Sequence, residues 1–250
     1  MSENNETIDA MAMVRSDVKR RIEATIMAIL AIVWEYRSSV FAFEDYPEID
    51  IQVNIILQRL SEGNLADAER RARALLAELE MGEWADESVE YAEREIDGED
   101  PLWRLDMHAS HLKELLAGWI AAAAVMGWTK EAMMIDFWAH MANPMSSEGW
   151  VKAELQKPKW GRGYAMNILD DMSRVGKDVI AISLAYGEYL MAVSKGAAYF
   201  IRHRNSGYIC PLCDSFCERR IPIDRIILQT HSLCVCYNDY YTEDGTLIEL

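Results

Sequence analysis

The sequence predicts a mainly α-helical protein, a helical bundle carrying a small β unit at its C-terminal end, and so an α+β fold in which helix dominates. Three observations carry this expectation. Apolar side chains recur at steps of three or four from Asp9 to about Arg202, the period of helices buried along one side. After Asn205-Ser206-Gly207 the texture changes to short β-branched or aromatic runs. All five cysteines, Cys210, Cys213, Cys217, Cys234 and Cys236, then fall within 27 residues of that tail.

The first helical pattern runs from Asp9 to Ala42, as one long helix or a broken pair, with Met11, Val14, Val18, Ile22, Ile26, Leu30 and Val33 on its apolar side. Tyr46-Pro47 interrupts it, because proline cannot continue a helix and restrains the residue before it. A second helix is expected over Val53 to Gly63. Asn64 then offers a cap to a third, Leu65 to Met81, whose Arg70, Arg71 and Arg73 alternate with acidic residues on a solvated face. From Glu83 to Asp100 nine of eighteen residues are acidic, which reads as exposed helix and linker or as a docking strip for a basic partner.

Asp106 to Trp128 has the clearest amphipathic pattern, with Leu112, Leu115, Leu116, Trp119 and Ile120 on one side and an alanine run that permits close packing. Thr129 caps a partner helix, Lys130 to Met141, which Asn143-Pro144 ends; the two form an αα-hairpin. Ser146 to Gly163, rich in Gly, Pro, Lys and Trp, reads as a connector. Beyond it a long helical pattern runs from Ala165 to about Arg202, as one helix or two, since Gly176, Gly187 and Gly196 weaken it. In the tail, Tyr208-Ile209, Ile226 to Leu228 and Val235 to Tyr237 read as strands, and Glu243-Asp244-Gly245 as a hairpin turn between Tyr240-Tyr241 and Thr246 to Ile248. The chain thus divides into an acidic helical region (1–145), a connector (146–163) and a helix with the Cys/His β unit (164–250).

With 250 residues, 51% of them hydrophobic and 26% charged, the chain can bury a core without help from metal or disulfide. The net charge of −16 is uneven: residues 1–110 hold 25 acidic against 11 basic side chains, the remainder 16 against 14. An acidic half repels phosphate, which argues against sequence-independent nucleic-acid binding there. The apolar runs Ala24 to Trp34 and Leu116 to Trp128 fall short of the ~18–20 residues of a membrane span. Met1 to Asp9 lacks the basic-then-apolar order of a secretory signal, so the protein is expected to stay inside the cell that makes it.

An odd number of clustered cysteines without a secretory signal favours metal over a disulfide framework. Cys210-Pro211-Leu212-Cys213 places two thiolates at the spacing from which one tight turn reaches a single tetrahedral ion. After seventeen intervening residues, His231-Ser232-Leu233-Cys234 repeats the two-residue gap with imidazole replacing one thiolate. The expected cofactor is therefore zinc, held by Cys210, Cys213, His231 and Cys234, with Cys236 as an alternative ligand to Cys234. Cys217, in a polar stretch, is expected to be a free thiol. Four protein ligands leave no open position for water, so the metal is expected to be structural.

No enzymatic signature accompanies it. A nucleobase deaminase would need His-x-Glu and Pro-Cys-x-x-Cys; here proline follows the first cysteine, and none of the five histidines has Glu two residues on. Zinc-protease, phosphate-loop and serine-hydrolase motifs are missing too, so a non-enzymatic role is expected. Asp106, His108 and His111 could share a helical turn around a metal, although a helix-surface or packing role needs no further assumption. Most of the eight tryptophans suit a core, while Trp150 and Trp160 in the connector could anchor an interface. Arg202, His203, Arg204, Arg219, Arg220 and Arg225 tint the tail basic, but Asp214, Glu218 and Asp224 dilute it, which argues against direct nucleic-acid contact.

The run Arg204-Asn205-Ser206-Gly207-Tyr208-Ile209-Cys210-Pro211-Leu212-Cys213, with His231-Ser232-Leu233-Cys234-Val235-Cys236, resembles the C-terminal motif of phage Mu F-like head-morphogenesis proteins. In that family an arginine precedes Cys-x-x-Cys, and a His-Pro-Asn-Cys-Arg-Cys element follows a variable loop. Cys210, Cys213, His231, Cys234 and Cys236 match motif positions, whereas Ser232, Leu233 and Val235 depart from Pro, Asn and Arg. The resemblance covers the last 50–90 residues or so of the chain. It implies a minor head protein of a tailed phage or prophage, found in the virion or the host cytoplasm. Its implied partners are the portal or other head proteins, and its implied work is capsid assembly or DNA delivery. A zinc-ribbon adaptor or regulator that binds protein or nucleic acid is the alternative.

Overall fold

The computed structural model describes residues 3–94, 100–142, 168–205, 211–226, 228 and 236–250. Its long elements are helices, α1 (Glu3–Val33), α2 (Pro47–Glu78), α3 (Ala85–Ala92), α4 (Pro101–Met126), α5 (Lys130–Ala142) and α6 (Ile168–Ser194). The C-terminal part adds β1 (Tyr199–His203), a one-turn helix α7 (Pro211–Asp214), β2 (Arg220–Pro222) and β3 (Tyr237–Tyr241). This is the mainly α, α+β class that the periodicity predicts. No helix among the described residues is long and apolar enough to cross a membrane.

Two compact units divide the chain, and each is assembled from separated stretches: Arg15–Asn64 with Leu102–Ser173, and Met1–Val14 with Leu65–Pro101 and Arg174–Leu250. In the first, α1 buries Ile22, Ile26, Leu30 and Val33 at the predicted helical spacing, and α4 buries Leu105, Leu112, Leu116, Trp119 and Ile120. The expected αα-hairpin is present. Gly127, at φ +66°, ends α4 in the left-handed region that glycine tolerates. Thr129 Oγ1 then accepts the Ala132 N–H at 3.2 Å as the N-cap of α5. The Trp119 indole donates to Asp136 Oδ2 at 2.9 Å and meets Phe137 edge-on, which fixes α5 against α4.

The first helix ends earlier than its apolar pattern suggests. It gives way to a 3₁₀ turn at Trp34–Tyr36, and the Arg37 guanidinium donates to the Trp34 carbonyl at 2.7 Å, satisfying one of the acceptors a helix end leaves open. Pro47 starts α2 instead of merely interrupting the chain, as suits a residue with φ preset and no N–H to lose. The helices expected on either side of Asn64 are one. Asn64 is buried in the middle of α2, with its amide nitrogen 3.8 Å from Met172 Sδ, so it packs and does not cap. Gly63, which should weaken the helix by about 1 kcal/mol, sits where a Cβ would lie 2.6 Å from Arg21 Nη1.

In the second unit, α6 is a single helix despite Gly176 and Gly187. A Cβ at Gly187 would fall 2.4 Å from Leu76 Cδ2, so the glycine admits the α2 side chain. The acidic stretch forms a 3₁₀ turn (Gly82–Trp84) and α3, which buries Ala85, Ser88, Val89 and Ala92 and exposes Asp86, Glu87 and Glu90, with Glu93 exposed at its C-cap. Residues 95–99 lie outside the described residues. Tyr91 of α3 stacks on Tyr186 of α6 at 4.1 Å.

The helix expected to reach Arg202 stops at Ser194. Gly196, at φ +84°, reverses the chain, and Tyr199–His203 is the central strand of a three-stranded antiparallel sheet ordered β2-β1-β3. Its side chains alternate, with Phe200 and Arg202 inward and Tyr199, Ile201 and His203 outward. Phe200, Ile221 and Tyr240 pack on Ala192 of α6 with Phe216, Ile223 and Ile248. Arg220–Pro222 pairs antiparallel with β1; in the run Ile226 to Leu228, Ile227 lies outside the described residues, and neither Ile226 nor Leu228 is in a strand. Of the strand expected at Val235 to Tyr237, Val235 lies outside the described residues, as does Tyr208-Ile209, while the strand β3 runs from Tyr237 to Tyr241. The hairpin turn forms where predicted: Gly245 has φ +87°, the Thr242 N–H donates to the Thr246 carbonyl, and the Ile248 N–H donates to the Tyr240 carbonyl.

Candidate metal-binding tail

The Cys/His motif is strung along the β unit. Of its predicted ligands, Cys213 and the alternative Cys236 lie among the described residues; Cys210, His231 and Cys234 lie outside them, as do Trp150 and Trp160. Among the described residues no group of three or more His, Cys, Asp or Glu side chains is arranged to hold a metal. What the structure does show is how the chain on both arms of the motif is attached to the sheet.

On the first arm, Cys213 sits in the one-turn helix α7 with 2% of its surface exposed. The N–H groups of Phe216 and Cys217 both donate to its carbonyl at 2.9 Å, closing a tight turn. Phe216 packs against the sheet's apolar cluster. Cys217, a half-buried free thiol, pairs with Arg202 across a parallel bridge. Glu218 adopts a left-handed conformation (φ +58°), a few per cent occurrence for a residue with a side chain, and its N–H donates to the Arg202 carbonyl at 2.8 Å. Arg204, the arginine ahead of the first cysteine pair, forms an ion pair with Asp214, the residue after Cys213.

On the second arm, Cys236 is half-buried at the entry to β3. Leu228, three residues before His231, is buried and presents its carbonyl to Arg202 Nη1 at 3.1 Å. The same nitrogen lies 3.1 Å from Asn238 Oδ1, two residues after Cys236. Arg202 is fully buried. Its main chain therefore holds the first arm and its side chain holds both ends of the second. Sequence reading counted Arg202 as part of a basic surface tint; the structure turns it inward. The signal available was its alternation with Phe200, which a helical assignment of 165–202 concealed.

The outward face of the sheet carries a second polar arrangement. The His203 imidazole lies between two carboxylates, Nδ1 at 3.1 Å from Glu218 Oε1 and Nε2 at 3.2 Å from Asp239 Oδ2. The Arg220 guanidinium sits 3.8 Å above the Tyr199 ring, which stacks on Tyr241. Burial pushes the Tyr240 hydroxyl well above the ordinary tyrosine range.

The chemistry of the motif suits zinc, and the described residues fit that use. Cys213 is a shielded sulfur on a tight turn, and Glu218 on one flank and Leu228 and Asn238 on the other are hydrogen-bonded to Arg202 of β1. Held by Cys210, Cys213, His231 and Cys234, the ion would cross-link the arms and supply no reactive water. Asp106, His108 and His111 do not form a comparable set: His108 is buried within α4, and His111 Nδ1 lies 3.5 Å from Glu114. No family model, no curated protein and no solved structure matches the chain.

Proposed function

We propose that the protein is a minor head component of a tailed phage or prophage, associated with the portal and acting in capsid assembly or DNA delivery. Its tail would be folded around a structural zinc ion. The observation that carries this reading is the paired motif, Cys210-Pro211-Leu212-Cys213 and His231-Ser232-Leu233-Cys234-Val235-Cys236, set behind helices. The described parts of the tail support it, since each arm is fastened to the β2-β1-β3 sheet beside a motif residue. The sheet is too small to stabilise its loops alone, and a structural zinc site adds on the order of 10 kcal/mol of metal-binding free energy.

In this role the protein binds and positions. The exposed carboxylates of α3 and its C-cap, Asp86, Glu87, Glu90 and Glu93, offer a surface to a basic patch on a portal or other head protein. The test is copurification of the full chain with the portal protein encoded beside it. Recovery of a complex that dissolves when the α3 carboxylates are neutralised supports the assignment. A genome neighbourhood without portal and large-terminase genes would sink it.

One observation favours the alternative of a nucleic-acid-binding adaptor: Arg219, Arg220 and Arg225 are exposed on and beside the edge strand β2. DNA affinity falling steeply with salt, in log against log, would shift the assignment to that class.

A further inference from the structure

We propose that the tyrosine ladder across α3 and α6 is a seat for an arginine of the partner: its guanidinium stacks on the outer face of Tyr91 and pairs with Glu87 and Glu90, displacing Arg94, which occupies that place in the chain alone. The inference rests on the reading of α3 as a surface for a basic partner and deepens it, because it names the side chain that the surface selects.

All the groups belong to one compact unit. Tyr91 of α3 stacks on Tyr186 of α6 with ring centroids 4.1 Å apart and planes within 9°, and Tyr186 continues onto Tyr189 at 5.6 Å and 25°. The three rings are half-buried. Tyr189 packs on the apolar cluster of the sheet, which closes the ladder at that end. At the other end Tyr91 shares one side of its helix with Glu87, four residues before it, and Arg94 follows three residues after. The Arg94 guanidinium carbon lies 5.8 Å from the Tyr91 centroid, at the outer limit of a cation–π contact. Its carboxylate contact, Glu90, is 3.8 Å away, and the two side chains are 69% and 73% exposed, so solvent screens the pair. Arg220 sits much closer to Tyr199, at 3.8 Å. Arg94 thus covers its ring loosely and is open to replacement by a better-placed cation.

The charge and shape of the seat decide what it takes. Glu87 and Glu90 are exposed, and Glu87 accepts the Tyr186 hydroxyl only at 3.4 Å, a long bond that leaves most of its acceptor capacity free. Burial and then the Glu87 charge raise the Tyr186 hydroxyl, and burial and then Asp224 raise Tyr189, so the ladder lies in a negative field. A planar guanidinium can lie on Tyr91 and keep its N–H groups in plane for the carboxylates. A lysine ammonium has no flat face and holds its water more tightly. Stacked rings rimmed by carboxylates therefore separate arginine from lysine.

The experiment titrates the full-length protein, at one fixed ionic strength, into two fluorescent peptides of equal charge, one alternating arginine with serine and one alternating lysine with serine, and follows anisotropy. The arginine peptide is expected to bind about 2- to 5-fold more tightly for each arginine seated. Tyr91→Leu should abolish that preference, Tyr91→Phe should keep it, and Arg94→Gln should strengthen the arginine peptide more than the lysine peptide. Should Tyr91→Leu lose its helical circular-dichroism signal, Arg94→Gln decides. Equal binding of the two peptides by the wild type, a preference that survives in folded Tyr91→Leu, or equal effects of Arg94→Gln on both peptides overturn the seat and leave the carboxylate surface standing. A wild-type protein that binds neither peptide removes the docking role of α3 and the seat together.

Discussion

At the scale of single residues, the positions that matter most are those where a side chain's chemistry runs against its surroundings. Gly187 lies inside a helix, yet a Cβ there would stand 2.4 Å from a buried leucine. Gly187→Ala should therefore destabilise the protein by about 1–3 kcal/mol, as overpacking does, although helix propensity alone favours it by about 1 kcal/mol. Urea unfolding gives the sign, and a more stable variant would show that Leu76 can move aside. Tyr240 gives a pH-dependent test. Its folded value is raised by burial, so its contribution is fully present below the ordinary tyrosine value and is lost as pH rises toward the folded one. Stability should fall in that alkaline window, and Tyr240→Phe should flatten the fall; an unchanged slope would place the linkage elsewhere. Little of this was legible beforehand, because burial of Gly187, Arg202 and Tyr240 depends on neighbours far away in sequence.

At the scale of elements, period and caps mark the helices, and some of those local signals carry through to the structure. Thr129 followed by Ala132 is such a case, and Thr129→Ala should cost about 1 kcal/mol, measurable as a lower melting temperature; no change would mean that the Trp119–Asp136 contact alone sets the start of α5. Where the reading missed, packing had outvoted propensity. Gly63-Asn64 looks like a helix boundary and is helix interior: α2 runs unbroken through both, and Asn64 is buried against Met172. The stretch Tyr199–His203 continues an apolar pattern and is a strand, because Gly196 reverses the chain and two partner strands supply its hydrogen bonds. Strand positions in the tail were visible as a texture, whereas their register is a property of the pairing and not of any one segment.

At the scale of the whole molecule, zinc removal is the informative perturbation. A ligand that binds only the folded state stabilises it by RT ln(1 + [L]/Kd), about 4 kcal/mol at a thousandfold excess over Kd. Stripping zinc with a strong chelator should lower the melting temperature by several degrees and open the tail to proteolysis between Asn205 and Cys236, while most of the helical signal persists. Elemental analysis of untagged protein should find about one zinc per chain; less than half an equivalent, with all five thiols titrating freely, would refute the site. By itself the sequence determined the class of fold and the helical hairpin with its Thr129 cap, because periodicity and caps are local properties. Tertiary structure alone decided which stretches share a compact unit, that Arg202 points inward, and which short runs become strands. Those outcomes depend on contacts between residues tens or hundreds of positions apart, and no local pattern records them.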